Sequence, residues 1–404
     1  MNAPIKIGLI TEGKTPPDKR VAFTPAQVEE IHQLFPHVKV VCQRSNARCF
    51  QDEEYKNAGA EIVDSIDDCD ILFGIKEVPI ANLISNKTYL FFSHTIKKQP
   101  YNRNLLKAVL EKNITLIDYE ALKDSQGNRL VAFGRYAGIV GAYNALWTYG
   151  KRYNTFLLRR AFECFDINDL KIELRKVKLS PIKIILTGGG RVAKGAMETL
   201  DTAGIRKVNV DEFLNKEFKE AVYVQLSSSD YHLHHAAAHF NRNEFHLHPE
   251  NYTSDFEKFT KVADVLIAGA YWNPKAPKLF ESENISRSNF KVKIIADITC
   301  DINGSIPSTK RASTILDPIY DYDFVSDKIY PEFAHDAYVT VMAIDNLPCE
   351  LPRSSSEEFG RDLIDRILNP LILGKPEGVI ERAIVAKEKS LTPNFDYLTD
   401  YVNS

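Results

Sequence analysis

The sequence has no long apolar run, no dominant sign of charge and no Cys-x-x-Cys pair. Each absence removes a class of protein. No segment approaches the roughly 20 apolar residues that a bilayer-spanning helix requires. The opening MNAPIKIGLI lacks the apolar stretch of a secretory signal, so a soluble, cytoplasmic protein is expected. A net charge of −3 over 404 residues gives no reason to expect nucleic acid or a membrane surface as a partner. Cys42, Cys49, Cys69, Cys164, Cys300 and Cys349 read as the reduced thiols of a cytosolic enzyme. Internal repeats and low-complexity segments are also missing.

What is present is a globular composition, 44% hydrophobic and 26% charged, in a chain long enough for two domains. The first 120 or so residues alternate short apolar runs with amphipathic stretches. IKIGLI (5–10), VKVVCQ (38–43), DILFGI (70–75), TYLFFS (88–93) and ITLIDY (114–119) read as buried strands. PAQVEEIHQLF (25–35) and NRNLLKAVLEK (102–112) carry helical periodicity. From Arg135, RYAGIVGAYNALWTYGKRYN predicts one long helix joining two domains. A second strand–helix series begins at PIKIILTGGGRVAKGAMETLDTAGI, with later strands at 221–227, 262–270 and 291–298. The tail after Asp345 returns to helices.

The fold class is therefore α/β: two Rossmann-like domains with parallel sheets flanking a cleft, linked by a long helix. Residues 1–136 with 346–404 are expected to carry the substrate, and 137–345 the dinucleotide.

Gly188-Gly189-Gly190-Arg191-Val192-Ala193 matches G-x-G-x-x-A between a strand and a helix. Glycines there allow a tight turn and close approach of backbone to a pyrophosphate, which the helix N-terminus attracts. Strand before and helix after supply the context that the bare motif lacks. Asp211, twenty-one residues beyond Gly190 after the strand candidate KVNVDEF, is placed to accept from a ribose 2′-OH and favours NAD. Arg206 and Lys207 just upstream suit a 2′-phosphate, so NAD and NADP both stay open.

Lys76 and Glu77 follow one predicted strand of the first domain, His94 and Lys97 the next, and Glu120 a third. In a parallel sheet these strand ends open on one edge, where ligands bind. A histidine and a lysine with a lowered pKa there can serve acid–base chemistry. Arg20, in KRVAFTP, can hold a carboxylate bidentately. Six of the ten histidines lie between His232 and His248. His235 and His239 are spaced to share a helical face, yet no carboxylate or cysteine completes a ligand set, so a surface or cofactor-adjacent loop is expected and no metal.

Several longer stretches carry a resemblance. GKTPPDKRVAFTP, GIKEVP, YLFFSHTIKKQ, LIDYEALKDSQGNRLVAFGRYAG, LTGGGRVAKGA, AGAYWNPKAP, IIADITCDINGSI and AIDNLPCELPRSSSEEFG occur in this order. The same order is found in the superfamily of alanine dehydrogenase, nicotinamide nucleotide transhydrogenase and the saccharopine dehydrogenases. The chain most resembles the lysine–2-oxoglutarate reductase module, and it ends where that module ends, which implies the reductase without the second enzyme sometimes fused to it.

The resemblance implies an acid–base pair in Lys76 and His94. It assigns substrate carboxylates to Arg20, Lys97 and Arg129, and gives Glu77 and Glu120 the tuning of the site or the lysine ammonium. On the cofactor side it implies Tyr271 of the YW turn, Asp301 beside the nicotinamide, and the turn of Asp345 and Leu347. Glu77 stands where the reductase module has arginine and the lysine-forming dehydrogenases have glutamate, so the direction of use is open.

The expected reaction joins lysine and 2-oxoglutarate reversibly to saccharopine, a small-molecule oxidoreduction. Alanine dehydrogenase-like amination of a small 2-oxo acid and a silent dinucleotide-binding sensor are the rivals. Whether copies of the chain pair as a homo-oligomer is left open.

Overall fold

The computed structural model describes residues 4–236, 239–285, 289–374 and 378–403. The chain divides into two compact units, Met1–Phe133 with Pro352–Ser404, and Gly134–Leu351. Among the described residues no helix is long and apolar enough to cross a membrane.

The first unit begins with six parallel strands: β1 (Ile5–Leu9), β2 (Val38–Gln43), β3 (Glu61–Val63), β4 (Ile71–Phe73), β5 (Thr88–Phe91) and β6 (Thr115–Asp118). They lie in the order β6-β5-β4-β1-β2-β3, so the chain reverses direction across the sheet on either side of β1. Helix α1 (Pro25–Leu34) starts at a reciprocal cap: Thr24 Oγ1 accepts from Gln27 N–H, and Gln27 Oε1 from Thr24 N–H. Helix α2 (Arg103–Glu111) buries Leu105, Leu106 and Val109 against the sheet's core. The three-residue β3 escaped the sequence reading because Glu61-Ile62-Val63 is too short to show a period.

The second unit opens with α3 (Gly134–Tyr153), the long helix expected from the sequence. All of its residues fall in this unit. Its sheet contains β7 (Lys183–Thr187), β8 (Arg206–Lys207), β9 (Val222–Leu226), β12 (Val265–Ala268), β13 (Ile294–Asp297), β14 (Ile319–Asp323), β15 (Lys328–Tyr330) and β16 (Val339–Met342). A separate hairpin, β10 (His232–His234) with β11 (Tyr252–Ser254), lies between β9 and β12 in sequence. The sheet order is β15-β14-β16-β13-β12-β7-β9-β8. Both faces of β7 are buried: Ile184 and Leu186 face one core with Tyr143 and Ala196, and Ile185 faces the other with Phe213 and Phe259. That is the pattern of a sheet covered on both sides.

Helix α4 (Arg191–Thr202) packs on α3 through two glycines. A Cβ at Gly138 would stand 1.8 Å from the carbonyl oxygen of Val192, and one at Gly195 1.9 Å from that of Arg135. Only a residue without a side chain permits that approach.

The C-terminal segment returns to the first unit. Helix Pro352–Leu363 is followed by β17 (Ile384–Lys387), which pairs antiparallel with β6, and by β18 (Ser390–Leu391) at the edge. The sequence pattern suggested helices here and missed both strands.

Candidate active site

The C-terminal ends of β1, β4, β5 and β6 open on one edge of the first sheet and deliver the reactive groups. Lys76 and Glu77 follow β4, His94 follows β5, and Glu120 lies in the turn after β6. Glu77 Oε1 and His94 Nδ1 are 2.6 Å apart. Burial alone would raise the Glu77 carboxyl, but the His94 hydrogen bond and the nearby charges of His94 and Lys14 hold it at about 2. Burial, then the positive charge of Arg20, lowers the Lys76 ammonium below the ordinary lysine range. His94 sits in the left-handed region at φ 52°, with its ring stacked on Phe92 at a centroid distance of 6.4 Å.

Every cation expected to hold a substrate carboxylate has a protein carboxylate beside it. Arg20 is buried, donating from Nε to Asp18 Oδ1 at 2.9 Å and from Nη2 to Oδ2 at 2.6 Å, with its guanidinium 4.1 Å over the Phe133 ring. The bidentate geometry anticipated for Arg20 is thus satisfied inside the protein by Asp18. Lys97 Nζ and Arg129 Nη2 both reach Glu120 Oε1, at 2.9 and 3.1 Å. Glu120 is only 6% exposed, and its Oε2 has no hydrogen-bond partner among the described residues. A buried carboxylate oxygen left without a donor is costly.

Three supporting residues escaped the sequence reading. Glu12 accepts the backbone N–H of Ile75 at 2.6 Å and of Lys76 at 2.9 Å, fixing the turn that carries the lysine. Burial, reinforced by Asp18, pushes its carboxyl up to about 7. Asp118, the last residue of β6, accepts from Ser93 N–H at 3.1 Å and Glu120 N–H at 2.8 Å, and so ties the histidine turn to the glutamate turn. Asn102 Nδ2 donates to Ser93 O at 3.1 Å and Glu77 Oε1 at 3.4 Å. The strand-end rule that selected Lys76 and His94 would also have selected Glu12, which lies three residues beyond β1. Asn102 carried no such signal, because it approaches from the start of α2.

In the second unit a cavity of about 400 Å³ lies at the C-terminal ends of β7 and β12, where the strand order reverses. Gly188, Gly190, Arg191 and Val192 line it on one side and Tyr271 on another. Gly188 has φ +103°, which an L side chain rarely adopts. A Cβ at Gly190 would meet nothing within 4 Å, leaving room beside the α4 N-terminus for a pyrophosphate. Gln225 Nε2 braces the turn by donating to Gly188 O at 2.8 Å. These features suit a dinucleotide.

The remaining expected residues divide. KVNVDEF is not a strand: β8 stops at Lys207, and Asp211 lies exposed in the first turn of helix α5 (Val210–Asn215), accepting from Asn215 Nδ2 at 2.9 Å. Asp211 does not line the cavity, because β8 sits at the sheet edge, outside β9. Arg206 pairs with Glu220 at 2.7 Å. Asp301 and Asp345 are exposed beyond β13 and β16, on the same edge as the glycine turn, but neither lines the cavity. Leu347 is 1% exposed in the core with α3. His235 and His239 share no helix, for His235 lies in the turn after β10 and residues 237–238 are outside those described. His232 and His246 do line the cavity. Among the described residues no group of three or more His, Cys, Asp or Glu is placed to hold a metal ion.

The family model for the alanine dehydrogenase/PNT N-terminal domain matches residues 8–140. That match covers the N-terminal third of the chain. The chain is 30% identical to mitochondrial alpha-aminoadipic semialdehyde synthase of Mus musculus, over 94% of this chain and 46% of that protein. The chain thus spans about half the length of that relative. Saccharopine dehydrogenase (NAD(+), L-lysine-forming) of Emericella nidulans is 25% identical over 90% of this chain and 91% of that one. The solved structure of an L-alanine dehydrogenase superposes with a TM-score of 0.64 at 15% identity, covering 98% of this chain and all of that one, so the fold is shared.

Proposed function

We propose that the chain is a nicotinamide-dependent oxidoreductase that interconverts saccharopine with L-lysine and 2-oxoglutarate. The observation that carries this is the cluster at the ends of β4, β5 and β6: a lysine with lowered basicity, a histidine fixed by Glu77, and a buried glutamate with one oxygen unpartnered. Relatives named for saccharopine and aminoadipic semialdehyde chemistry support it.

In this reading the first unit carries the substrate and the second the dinucleotide, through Gly188, Gly190, Arg191, Val192 and Tyr271. The dinucleotide supplies or accepts the hydride. Condensation needs a neutral lysine ε-amine, attack on the 2-oxoglutarate carbonyl and loss of water to an imine, with proton transfers at each stage. Glu77 holds Nδ1 of His94, which leaves Nε2 as the nitrogen that exchanges protons with the substrate. Lys76, depressed by burial, is the second proton carrier. In this reading the Glu120 carboxylate supplies the negative charge for the α-ammonium of lysine, while Lys97 and Arg129 beside it meet substrate carboxylates. Arg20, engaged by Asp18, acts as a fixed positive charge near Lys76. Asp301, Asp345 and Leu347 belong in this reading to the nicotinamide side.

The test is oxidation of NADH and NADPH followed at the nicotinamide absorbance. Activity that needs both lysine and 2-oxoglutarate supports the proposal. Activity with ammonia and pyruvate alone moves the chain to alanine dehydrogenase chemistry, and silence in every mixture leaves a sensor.

A further inference from the structure

We propose that Asp118 is a positioning residue that couples the acid–base histidine to the substrate-binding glutamate, through Ser93 on one side and the Glu120 backbone on the other. The inference rests on the proposed roles of His94 and Glu120 in saccharopine chemistry.

The sheet register brings the two turns together. β5 and β6 pair in parallel with Phe91 opposite Asp118, so Ser93 and Glu120 lie equally far past the last pair. Asp118, Ser93 and Thr95 are all fully buried. An aspartate that merely caps its own turn needs one oxygen, as Oδ1 here takes Glu120 N–H at 2.8 Å. Oδ2 reaches across to the neighbouring strand's turn instead. It accepts from Ser93 N–H at 3.1 Å and from the Ser93 hydroxyl.

Counting protons gives the network a direction. A carboxylate only accepts, so the single Ser93 hydroxyl proton goes to Asp118 Oδ2. Ser93 Oγ and Thr95 Oγ1 are 2.7 Å apart, and Thr95 is therefore the donor between them. Thr95 N–H also donates to Ser93 Oγ, at 3.2 Å. Hydrogen bonds thus run from Thr95 through Ser93 to Asp118, and the residue between the two hydroxyls is His94. His94 has φ 52°, a region that residues with a Cβ enter at a cost, and its neighbours on both sides are tied down. Asn102 adds a hold from the start of α2, donating to Ser93 O at 3.1 Å and to Glu77 Oε1 at 3.4 Å.

The position requires a carboxylate. No lysine or arginine pairs with Asp118 among the described residues, and burial raises its carboxyl above the ordinary aspartate range. A buried charge without a counter-ion is costly. Asparagine would avoid that cost, but its amide N–H2 would face Ser93 or Glu120, both of which donate. One acceptor-only side chain therefore fixes both turns at once.

The test compares Asp118→Asn, Ser93→Ala and the double variant with wild type. Kinetics with lysine, 2-oxoglutarate and reduced nicotinamide are read beside cofactor titration and the carbon-13 signal of His94 Cε1 in histidine-labelled protein, assigned with His94→Gln. Asp118→Asn should lower kcat about tenfold and raise KM for lysine about fivefold. Ser93→Ala removes only the hydroxyl arm, and should lower kcat about fivefold with KM for lysine within about twofold of wild type. In the Ser93→Ala background, Asp118→Asn should lower kcat less than about threefold further while still raising KM. Both single variants should move the His94 signal and leave dinucleotide affinity within about twofold of wild type. An unmoved His94 signal overturns the positioning role, as does a kcat loss in Asp118→Asn that Ser93→Ala leaves undiminished. If wild type does not turn over lysine and 2-oxoglutarate, the reaction reading fails and the His94 signal alone decides the proposal. If Asp118→Asn does not fold, Ser93→Ala decides it by the same signal and the same kcat loss.

Discussion

Glu77 and His94 form a carboxylate–imidazole pair with 2.6 Å between Oε1 and Nδ1, on the turns after two adjacent parallel strands. The pair sets which histidine nitrogen remains for chemistry. His94→Gln and Lys76→Met are each expected to lower kcat about 100-fold, the usual scale of a lost acid or base. Dinucleotide affinity should change less than about threefold. Glu77→Gln keeps the shape but not the tautomer, and should lower kcat about tenfold. Steady-state kinetics beside cofactor titration separates these effects, and near-normal turnover in both His94→Gln and Lys76→Met removes the pair from the mechanism.

Glu12 makes a pH prediction of definite sign. Its carboxyl is raised from the ordinary 4.5 to about 7 in the folded chain. Between those values the folded state holds a proton that the unfolded state has released, so this group's contribution to stability falls as pH rises through the window and is level above it. Glu12→Gln does not titrate and should lose that slope. Urea unfolding at several pH values checks it, and parallel stability curves for wild type and variant would count against it.

Glu77 titrates with the opposite sign. Held at about 2 against an ordinary 4.5, it stabilises the fold above pH 4.5, and that contribution is lost as pH falls toward 2. Glu77→Gln should flatten the acid limb of the stability curve. An unchanged limb contradicts the strength of the Glu77–His94 bond.

Much of the first site was legible because one rule governs it: in a parallel sheet, charged residues just past the strands share an edge. Lys76, Glu77, His94 and Glu120 follow from that rule and from the short apolar runs before them. Glu12, three residues past β1, obeys it too. The pairing of Arg20 with Asp18 was not legible, since a sequence shows that an arginine can grip a carboxylate but not which one. In the second unit the glycine turn was plain, while Asp211 was misplaced: spacing alone assumed that the next strand lies beside β7. The intervening edge strand is two residues long, and its pairing to β9 is a property of the whole sheet.

Glu120 offers the cleanest test of substrate recognition. Glu120→Gln removes the carboxylate charge and should raise KM for lysine about tenfold or more, as loss of a charge-assisted interaction does. KM for the dinucleotide should move little. A rise confined to 2-oxoglutarate would transfer Glu120 from the ammonium to the carboxylate end of the substrate.

Gly138 tests the helix crossing that positions the glycine turn. Gly138→Ala puts a methyl group where Val192 O already stands, and should cost about 3 kcal/mol of stability or more. Weaker dinucleotide binding should accompany the loss, because Val192 lines the cavity. Unfolding and cofactor titration measured on one preparation check both, and a variant as stable as wild type would contradict the close packing of α3 on α4.

The measurement that bears most directly on the central claim is the identity of the product. Lysine labelled with nitrogen-15 at the ε position is incubated with 2-oxoglutarate and reduced nicotinamide, and the mixture is analysed by mass spectrometry. The account predicts one secondary amine with the mass of saccharopine, bearing the label between the lysine ε carbon and the α carbon of the glutarate. A product whose nitrogen comes from free ammonia, or consumption of the cofactor with no labelled condensation product, would contradict it.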